Sequence, residues 1–371
     1  MTHHIIIGGG IIGASAAYHL AREGEQVTII DRGDKGQATD AAAGIISPWL
    51  SNRRNESWYR LAKEGARFYH ELIPELEQNQ NTDTGYRRNG TIALTSEDHI
   101  VNEKMNLAIQ KQPDAPEIGE VKYLSERDVQ RQFPLVANGY QGVFVSGGAR
   151  VNGRLLRDSL IHGAVANGAV RIHGHAEVTP RGDHRFSVKV GHMDLFAENV
   201  IVTAGAWVNS LFKGKKLKMN IRPQKGQLIH LRLKGMNSDN WPVILPPKDY
   251  YVIPFEDGRM VIGATREDHK LFDTAATAGG IHAILDEVFT FAPGFKGAEF
   301  LETRVGTRPF SMDSIPVFGQ IPELPGLYTA NGLGASGLTT GPFIGCELAK
   351  LSIGKDPLFS KDEYSVKSLF L

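Results

Sequence analysis

A glycine-rich stretch near residue 10 has the spacing with which proteins hold phosphate groups. Gly8, Gly10 and Gly13 satisfy the pattern G-x-G-x-x-G, and the acidic residue Asp31 follows about 20 residues further on. In this pattern the first glycine allows a tight turn, the second lets the backbone approach a pyrophosphate, and the third allows a helix to pack closely on a sheet. The N-terminus of that helix directs free N–H groups and a positive dipole end at the phosphates. These residues therefore predict a dinucleotide site in which Asp31 accepts hydrogen bonds from ribose hydroxyls.

The segments around the glycines predict the elements that position them. Residues 4–7 are rich in isoleucine and predict a strand, residues 14–22 are rich in alanine and predict a helix, and residues 26–31 predict a second strand. A strand, a glycine turn, a helix and a strand within about 30 residues form a βαβ unit with a right-handed crossover. The acidic residue that ends the second strand favours an unphosphorylated ribose, so the unit predicts NAD or FAD rather than NADP.

The rest of the chain alternates between two patterns of predicted secondary structure, antiparallel strands and βαβ-type units. Residues 227–233, 250–255 and 259–263 alternate as antiparallel strands do, and the last two are joined by a hairpin. Further strands and helices of the βαβ type occur in the middle of the chain and near its end. This arrangement predicts two interleaved domains, one of which is assembled from separate stretches of sequence.

The composition excludes several classes of protein. A length of 371 residues suggests about two domains. The chain has 41 basic and 41 acidic residues, and a net charge of zero gives no general attraction to nucleic acid or to an anionic membrane. The first apolar stretch, residues 4–20, is broken by glycines, so no membrane span is expected. The single cysteine, Cys346, excludes an internal disulfide and fits a reducing cytoplasm. Zinc and calcium spacings are absent from the sequence, so no metal is predicted.

A loop of small residues follows the second predicted strand at positions 37–46 (QATDAAAGII). It resembles the flavin-facing loop of the D-amino-acid oxidase superfamily of FAD-dependent oxidoreductases, in particular glycine oxidase and the small-subunit type of D-amino-acid dehydrogenase. Further stretches match that family in order, at residues 199–207, 222–227, 251–263, 304–318 and 330–342. The resemblance implies FAD as the cofactor. It is expected to be non-covalent, because no cysteine lies near Met312, where sarcosine-oxidase relatives attach flavin.

The resemblance also implies which residues contact FAD. Small side chains at positions 41–44 let a flat ring lie against the backbone, and a helix that begins near Leu338 would aim its dipole at the ring edge that becomes negative on reduction. The implied set comprises Gly8, Gly10, Ile11, Ile12, Gly13, Asp31, Arg32, Thr39, Ala41, Ala42, Ala43, Gly44, Ile46, Val178, Ala204, Gly205, Trp207, Arg308, Gly332, Gly334, Ala335, Ser336, Gly337, Leu338 and Thr339.

Two residues are predicted to be catalytic. The tetrapeptide 306–309 matches the family motif G-x-R-P, which implies that Arg308 grips the substrate carboxylate with a bidentate guanidinium. Tyr251 matches a family tyrosine that contacts the same carboxylate, with Tyr250 as the neighbouring alternative. In an alternating strand only one of the two faces the pocket, and we predict Tyr251. The implied reaction moves a hydride from the substrate Cα to flavin N5, and the imine then hydrolyses to a 2-oxo acid.

The predicted fold class is α/β, with a Rossmann-like FAD-binding domain interleaved with an α+β substrate domain that carries a mixed or antiparallel sheet. The predicted FAD-binding domain comprises residues 1–85, 146–221 and 312–371. The predicted substrate-binding domain comprises residues 86–145 and 222–311. Substrates are expected to be small amino acids or amines, such as glycine, a D-amino acid or an N-methyl amino acid.

Three other functions stay open at this stage. They are a 2-hydroxy-acid dehydrogenase on the same scaffold, an NAD dehydrogenase that shares only the first βαβ unit, and a flavin-binding protein without turnover. The electron acceptor is oxygen, or a quinone or carrier if the enzyme is a dehydrogenase, which would allow peripheral attachment to the inner face of a membrane. Residues 260–262 lack the lysine that sarcosine-oxidase relatives use with oxygen. Homo-oligomer formation is open. For Arg53 and Arg54 solvent contact is favoured over contact with substrate or pyrophosphate, and His175 is expected at the surface.

Overall fold

The computed structural model describes residues 2–51, 53, 55–80, 82–181, 185–212, 217–268, 272–360 and 362–370, with the side chains of residues 79 and 80 left aside. Within this part of the chain the helices are α1 (Ile11–Arg22), α2 (Glu56–Gln80), α3 (Asp98–Lys111), α4 (Glu126–Gln132), α5 (Gly153–Ala166), α6 (Ala278–Phe291) and α7 (Gly337–Ser352). None of the described helices combines the length and the apolar character that crossing a bilayer requires.

The strands in the first half of the chain are β1 (His3–Ile7), β2 (Gln26–Asp31), β3 (Ile45–Ile46), β4 (Thr91–Thr95), β5 (Val121–Leu124), β6 (Gln141–Val145), β7 (Ala149–Arg150), β8 (Val170–His173) and β9 (Ala176–Pro180). Those in the second half are β10 (Phe186–Val190), β11 (Met193–Ala197), β12 (Asn199–Val202), β13 (Arg222–Arg232), β14 (Val243–Leu245), β15 (Tyr251–Pro254), β16 (Arg259–Gly263), β17 (Glu299–Phe310), β18 (Val317–Gln320) and β19 (Leu327–Asn331).

A six-stranded sheet forms the first layer, in the order β18-β19-β12-β1-β2-β8. All neighbours are parallel except β18, which is antiparallel to β19. Side chains alternate between its two faces as a buried strand requires. In β1, Ile6 packs with α1, α5 and α7, whereas Ile5 and Ile7 pack against the three-stranded sheet β9–β11. The glycine loop therefore leaves the carboxyl end of β1 at the centre of a parallel sheet.

An eight-stranded sheet forms the second layer, in the order β17-β13-β16-β15-β14-β4-β6-β5. Its pairs are antiparallel except β14 with β4, so the sheet is mixed. One face packs against α6, through Ile284 and Val288. The other face carries Leu228, Ile253 and Val261 in a smaller cluster that also contacts Ala43 of the small-residue loop at positions 37–46. The mixed sheet therefore presents its second face to the loop that follows β2.

The structure confirms the predicted fold class, an α/β chain with a Rossmann-like part and a second, mixed sheet. The strands of the six-stranded sheet fall in residues 3–31, 170–202 and 317–331, and those of the eight-stranded sheet fall in residues 91–145 and 222–310. These positions are compatible with the division into domains given above, whose boundaries stay a prediction. The sequence patterns did not predict α4, nor β17 as one strand of 12 residues.

Candidate active site

The first βαβ unit contains a tight turn in which positions 8 and 13 admit only glycine. Gly8 has φ +107°, and a Cβ there would lie 2.5 Å from the carbonyl oxygen of Thr203 on the neighbouring strand connection. A Cβ at Gly13 would lie 1.9 Å from the Gly8 oxygen. The backbone therefore crosses itself where the helix begins, and α1 starts at Ile11 with Gly10 as its N-cap and no capping side chain from that residue. This leaves the helix N-terminus open toward a ligand.

Asp31 and Thr39 hold this turn from the side. The Asp31 carboxylate accepts hydrogen bonds from the Gly9 N–H at 2.6 Å, the Gly33 N–H at 2.6 Å and Gln37 Nε2 at 2.9 Å. Thr39 Oγ1 accepts from the Ile11 N–H at 3.1 Å. An ionised carboxylate has about four acceptor positions, so Asp31 retains capacity for a ribose hydroxyl.

One cleft runs from this turn to the mixed sheet and has a cavity volume of about 230 Å³. It brings together most of the predicted site residues, which come from distant parts of the chain. Those on its lining are Gly8, Gly10, Ile11, Ile12, Asp31, Arg32, Thr39, Ala41, Ala42, Ala43, Gly44, Ala204, Gly205, Trp207, Tyr251, Arg308, Gly334, Ala335, Gly337, Leu338 and Thr339.

Five of the predicted cofactor residues lie off the lining. Gly13 packs against the Gly8 carbonyl where the backbone crosses itself. A Cβ at Gly332 would lie 2.8 Å from the side chain of Ser311. Ile46 and Val178 are 1% exposed and pack in the two hydrophobic cores of the Rossmann-like part. The Ser336 hydroxyl accepts a hydrogen bond from the indole of Trp58 at 2.7 Å. These five residues therefore support the structure around the cleft, and their roles toward FAD stay predictions.

The guanidinium of Arg308 packs against the backbone of Gly226. Strands β13 and β17 pair so that Gln224 stands opposite Arg308 and Gly226 stands opposite Gly306. A Cβ at Gly226 would lie 2.7 Å from Arg308 Cζ, so the guanidinium rests directly on the Gly226 backbone. One guanidinium nitrogen, Nη1, donates to Gln224 Oε1 at 3.1 Å and to the Thr265 carbonyl at 3.2 Å. Burial lowers the pKa of Arg308, and no carboxylate pairs with it among the described residues.

Tyr251 lines the same cleft as Arg308 and lies on the same face of the mixed sheet, with β13 and β16 between their two strands. Its strand neighbour is Gly263, whose missing side chain leaves space for the phenol, because a Cβ there would be 3.1 Å from the hydroxyl oxygen. Burial raises the pKa of Tyr251, and the cations of Arg308 and Arg266 act in the opposite direction. The hydroxyl has no hydrogen-bond partner within the described chain. Tyr250, by contrast, packs against the core on the other face of the sheet.

The C-terminal helix borders the cleft with its first turn. α7 begins at Gly337, and its first residues, Leu338 and Thr339, line the cleft. The Trp58 indole that holds Ser336 is stacked under Arg53, whose Cζ lies 4.7 Å from the ring centroid. Arg53 also donates to the carbonyl of Ser314. Arg53 is therefore partly exposed, with its guanidinium between Trp58 of α2 and the carbonyl of Ser314, while Arg54 lies outside the described residues.

Sequence reasoning missed several residues of the lining. Gln227 and Thr203 lie within the stretches 222–227 and 199–207 that match the family, but neither was among the predicted site residues. Both line the cleft, Gln227 from within β13 and Thr203 from the residue after β12. Thr307 is 1% exposed, lines the cleft, and its hydroxyl has no hydrogen-bond partner in the described part of the chain. His175 lies at the cleft mouth beside Arg32, with Nδ1 and Nη1 3.3 Å apart. Only the x position of G-x-R-P could have pointed to Thr307 in advance.

The geometry and the sequence together place this chain in one family. A family model described as FAD dependent oxidoreductase (DAO) matches residues 3–351, and the chain belongs to that family. It is therefore an FAD-dependent oxidoreductase, as its motifs predicted.

Particular relatives share nearly its whole length. An uncharacterized oxidoreductase, YurR, of Bacillus subtilis (strain 168) is 48% identical over 356 residues, which cover 96% of each chain. The glycine oxidase of Pseudomonas putida is 27% identical over 370 residues and covers 97% of each chain. Among solved structures, an iminodiacetate oxidase (IdaA) from Chelativorans sp. BNC1 superposes with a TM-score of 0.94 at 40% identity, covering 98% of each chain.

The residues present fit FAD. At the Gly8–Gly13 crossing a Cβ on either glycine would clash with backbone, so the turn is as tight as a pyrophosphate site requires, and the buried, unpartnered Thr307 hydroxyl lines a cleft bordered by the small residues of positions 41–44. When bound, FAD supplies a two-electron acceptor for a hydride from the substrate. Cys346, the single cysteine, is buried in α7 and does not line the cleft, and burial raises the pKa of its thiol to about 11.

Proposed function

We propose that this protein oxidises a small amino acid or secondary amine to an imine, which hydrolyses to a 2-oxo acid. The observation that carries the proposal is Arg308, a buried guanidinium on the cleft wall without a carboxylate partner among the described residues. A buried cation without a partner is costly, and a ligand carboxylate would relieve that cost. The iminodiacetate oxidase at 40% identity supports a secondary amine, and the glycine oxidases support an amino acid.

Arg308 and Tyr251 divide the work of holding the substrate. The guanidinium still has N–H groups free beyond the two bonds of Nη1, enough for a carboxylate. The Tyr251 hydroxyl donates a third hydrogen bond, and because burial raises its pKa the phenol stays protonated at neutral pH. A carboxylate held at three points fixes the direction of its Cα–H bond, and such orientation is a large part of rate enhancement.

The cleft favours an amine over a 2-hydroxy acid. Oxidation of a hydroxy acid needs a base for the hydroxyl proton. The histidine on the described lining, His175, is exposed and lies beside Arg32, the residue after Asp31. A neutral amine needs no such base, since its nitrogen lone pair assists hydride departure.

The electrons are proposed to pass to oxygen, or to a quinone or carrier protein, in the reducing cytoplasm that a single cysteine fits. After anaerobic reduction by substrate, mixing with aerated buffer or with a soluble quinone distinguishes the two. Rapid return of the flavin colour in air indicates an oxidase, and return only with the quinone indicates a dehydrogenase.

An anaerobic screen of flavin reduction tests the proposed reaction. The purified, FAD-loaded protein is mixed with glycine, D- and L-amino acids, N-methyl amino acids and 2-hydroxy acids, and absorbance of the oxidised flavin is followed. We expect bleaching by at least one amine that carries a carboxylate. Bleaching by hydroxy acids alone would overturn the proposal and indicate a 2-hydroxy-acid dehydrogenase. If no compound bleaches the flavin, the proposal is also overturned, and the protein is a flavin-binding protein without turnover.

A further inference from the structure

A second arginine stands at the substrate end of the cleft, outside its lining. Arg266 follows Thr265, the residue whose carbonyl accepts a hydrogen bond from Arg308 at 3.2 Å. The backbone N–H of Glu267 donates to the Lys225 carbonyl at 2.9 Å, and Lys225 returns a hydrogen bond at 3.1 Å. This antiparallel bridge between Lys225 and Glu267 places Arg266 in register with Gly226.

The register puts both arginines on the same face of the sheet. Residues directly opposite each other in neighbouring strands point the same way. Gly226 stands between Gly306 on one side and Arg266 on the other, and Arg308 is two residues from Gly306. The side chains of Arg308 and Arg266 therefore point to the same face of the sheet, and Gly226 lies between them. The charge of Arg266 is consistent with this proximity: burial lowers the pKa of Arg308 and Arg266 acts in the same direction, whereas burial raises the pKa of Tyr251 and Arg266 opposes that rise.

The partner of Arg266 is weakly held. Arg266 Nη1 lies 2.9 Å from Asp249 Oδ2, and the two side chains are 56% and 77% exposed. An exposed pair of this kind contributes little and exchanges readily with another anion. Asp249 is two residues before Tyr251, so the pair sits on the Tyr251 side of the substrate end. The carboxylate of Glu267 is turned away from this face, where Gln227 Nε2 donates to it at 2.6 Å.

We propose that Arg266 binds a second carboxylate of the substrate, which makes it a specificity-determining residue for secondary amines that carry a carboxylate on each side of the nitrogen. The proposal rests on the proposed function, because the first carboxylate must occupy Arg308. Such a substrate loses a hydride from one methylene carbon and a proton from its nitrogen, forming a C=N bond. Water then adds to that carbon, and cleavage of the carbon–nitrogen bond releases a 2-oxo acid and a primary amino acid. The electron pair passes through FAD to the acceptor.

Two thioether ligands test the second carboxylate without turnover. Thiodiacetate carries a carboxylate on each side of sulfur, and (methylthio)acetate lacks one of them. Their dissociation constants are measured by calorimetry on the FAD-loaded protein. We expect the wild type to bind thiodiacetate more tightly, and Arg266→Gln to reduce that preference by about tenfold, the range of one hydrogen bond between charged groups. Asp249→Asn removes the competing anion and should strengthen thiodiacetate binding.

The matched control is Arg131→Gln, which removes an exposed arginine that pairs with Asp128 at 3.5 Å on α4. It should leave the preference between the two ligands unchanged. An Arg266→Gln protein that keeps the wild-type preference would overturn the proposal, as would an equal loss of both ligands. Failure of the proposed function looks different, because then Arg308→Ala would leave the binding of (methylthio)acetate as it is in the wild type.

Discussion

The seat of Arg308 on Gly226 can be tested by adding a single methyl group. Alanine at position 226 would put a Cβ 2.7 Å from Arg308 Cζ and Nη2 and 3.0 Å from Nη1. Ordinary contact begins at 3.4 Å, so the guanidinium must withdraw by about 0.7 Å (3.4 − 2.7). The φ of Gly226 is not in the left-handed region, and the obstructed atoms are the end of a flexible side chain, so the fold should persist.

The kinetic consequence follows from this displacement. A misplacement of about 1 Å costs about 100-fold in rate. We therefore expect Gly226→Ala to lower kcat/KM by about 10- to 100-fold, or about 1.4–2.7 kcal/mol of transition-state stabilisation. Steady-state kinetics with the best amine of the screen give this number, and the flavin absorbance confirms that FAD is retained.

Gly279→Ala is the matched control. It makes the same chemical change on α6, where a Cβ would have no neighbour within 4 Å. Wild-type kcat/KM in this variant is expected. A Gly226→Ala protein with normal kcat/KM would refute the described position of the guanidinium, and a protein that loses FAD instead would assign Gly226 to the cofactor.

Three further changes have defined outcomes. Gly13→Ala forces a Cβ to within 1.9 Å of the Gly8 oxygen, so the purified protein should be colourless, and a protein with full flavin absorbance would contradict the phosphate-turn account. Tyr251→Phe removes a hydroxyl that has no partner in the described chain, so thermal stability should hold while KM for the amine rises about tenfold. Burial lowers the pKa of His19 to about 4 from 6.5, so the stability that its neutral form provides is complete above pH 6.5 and is lost as the pH falls toward 4. In His19→Gln the free energy of unfolding, measured with urea, should fall less between pH 6.5 and pH 4 than in the wild type, by up to about 3 kcal/mol. The same pH dependence in both proteins would count against His19 as a source of acid sensitivity.

Local patterns predicted the nucleotide half of the site well. The β1–α1–β2 unit follows from short-range rules for strands, glycine turns and helices, and its Asp31 ends the strand where expected. The missed helix α4 also had a local signal, since Ser125 and Asp128 form a capping box in which each side chain bonds the other's backbone N–H.

The substrate half depends on pairings that no local pattern contains. The contact between Arg308 and Gly226 is set by the register of β13 with β17, which are far apart in sequence. The same holds for Arg266, whose neighbour is decided by the bridge between Lys225 and Glu267. Residues carried over by resemblance, such as Ile46 and Val178, have side chains buried in the cores, because a motif match identifies a backbone position and not the direction of its side chain.

The most direct test of the account compares wild type and Arg308→Ala after both are loaded with FAD to the same absorbance. Each protein is mixed anaerobically with the amine that reduces the wild type fastest, and the bleaching rate is measured. Loss of two charge-assisted hydrogen bonds predicts a rate at least about 100-fold lower in the variant at subsaturating substrate. Equal bleaching rates in the two proteins would contradict the claim that Arg308 holds the substrate carboxylate.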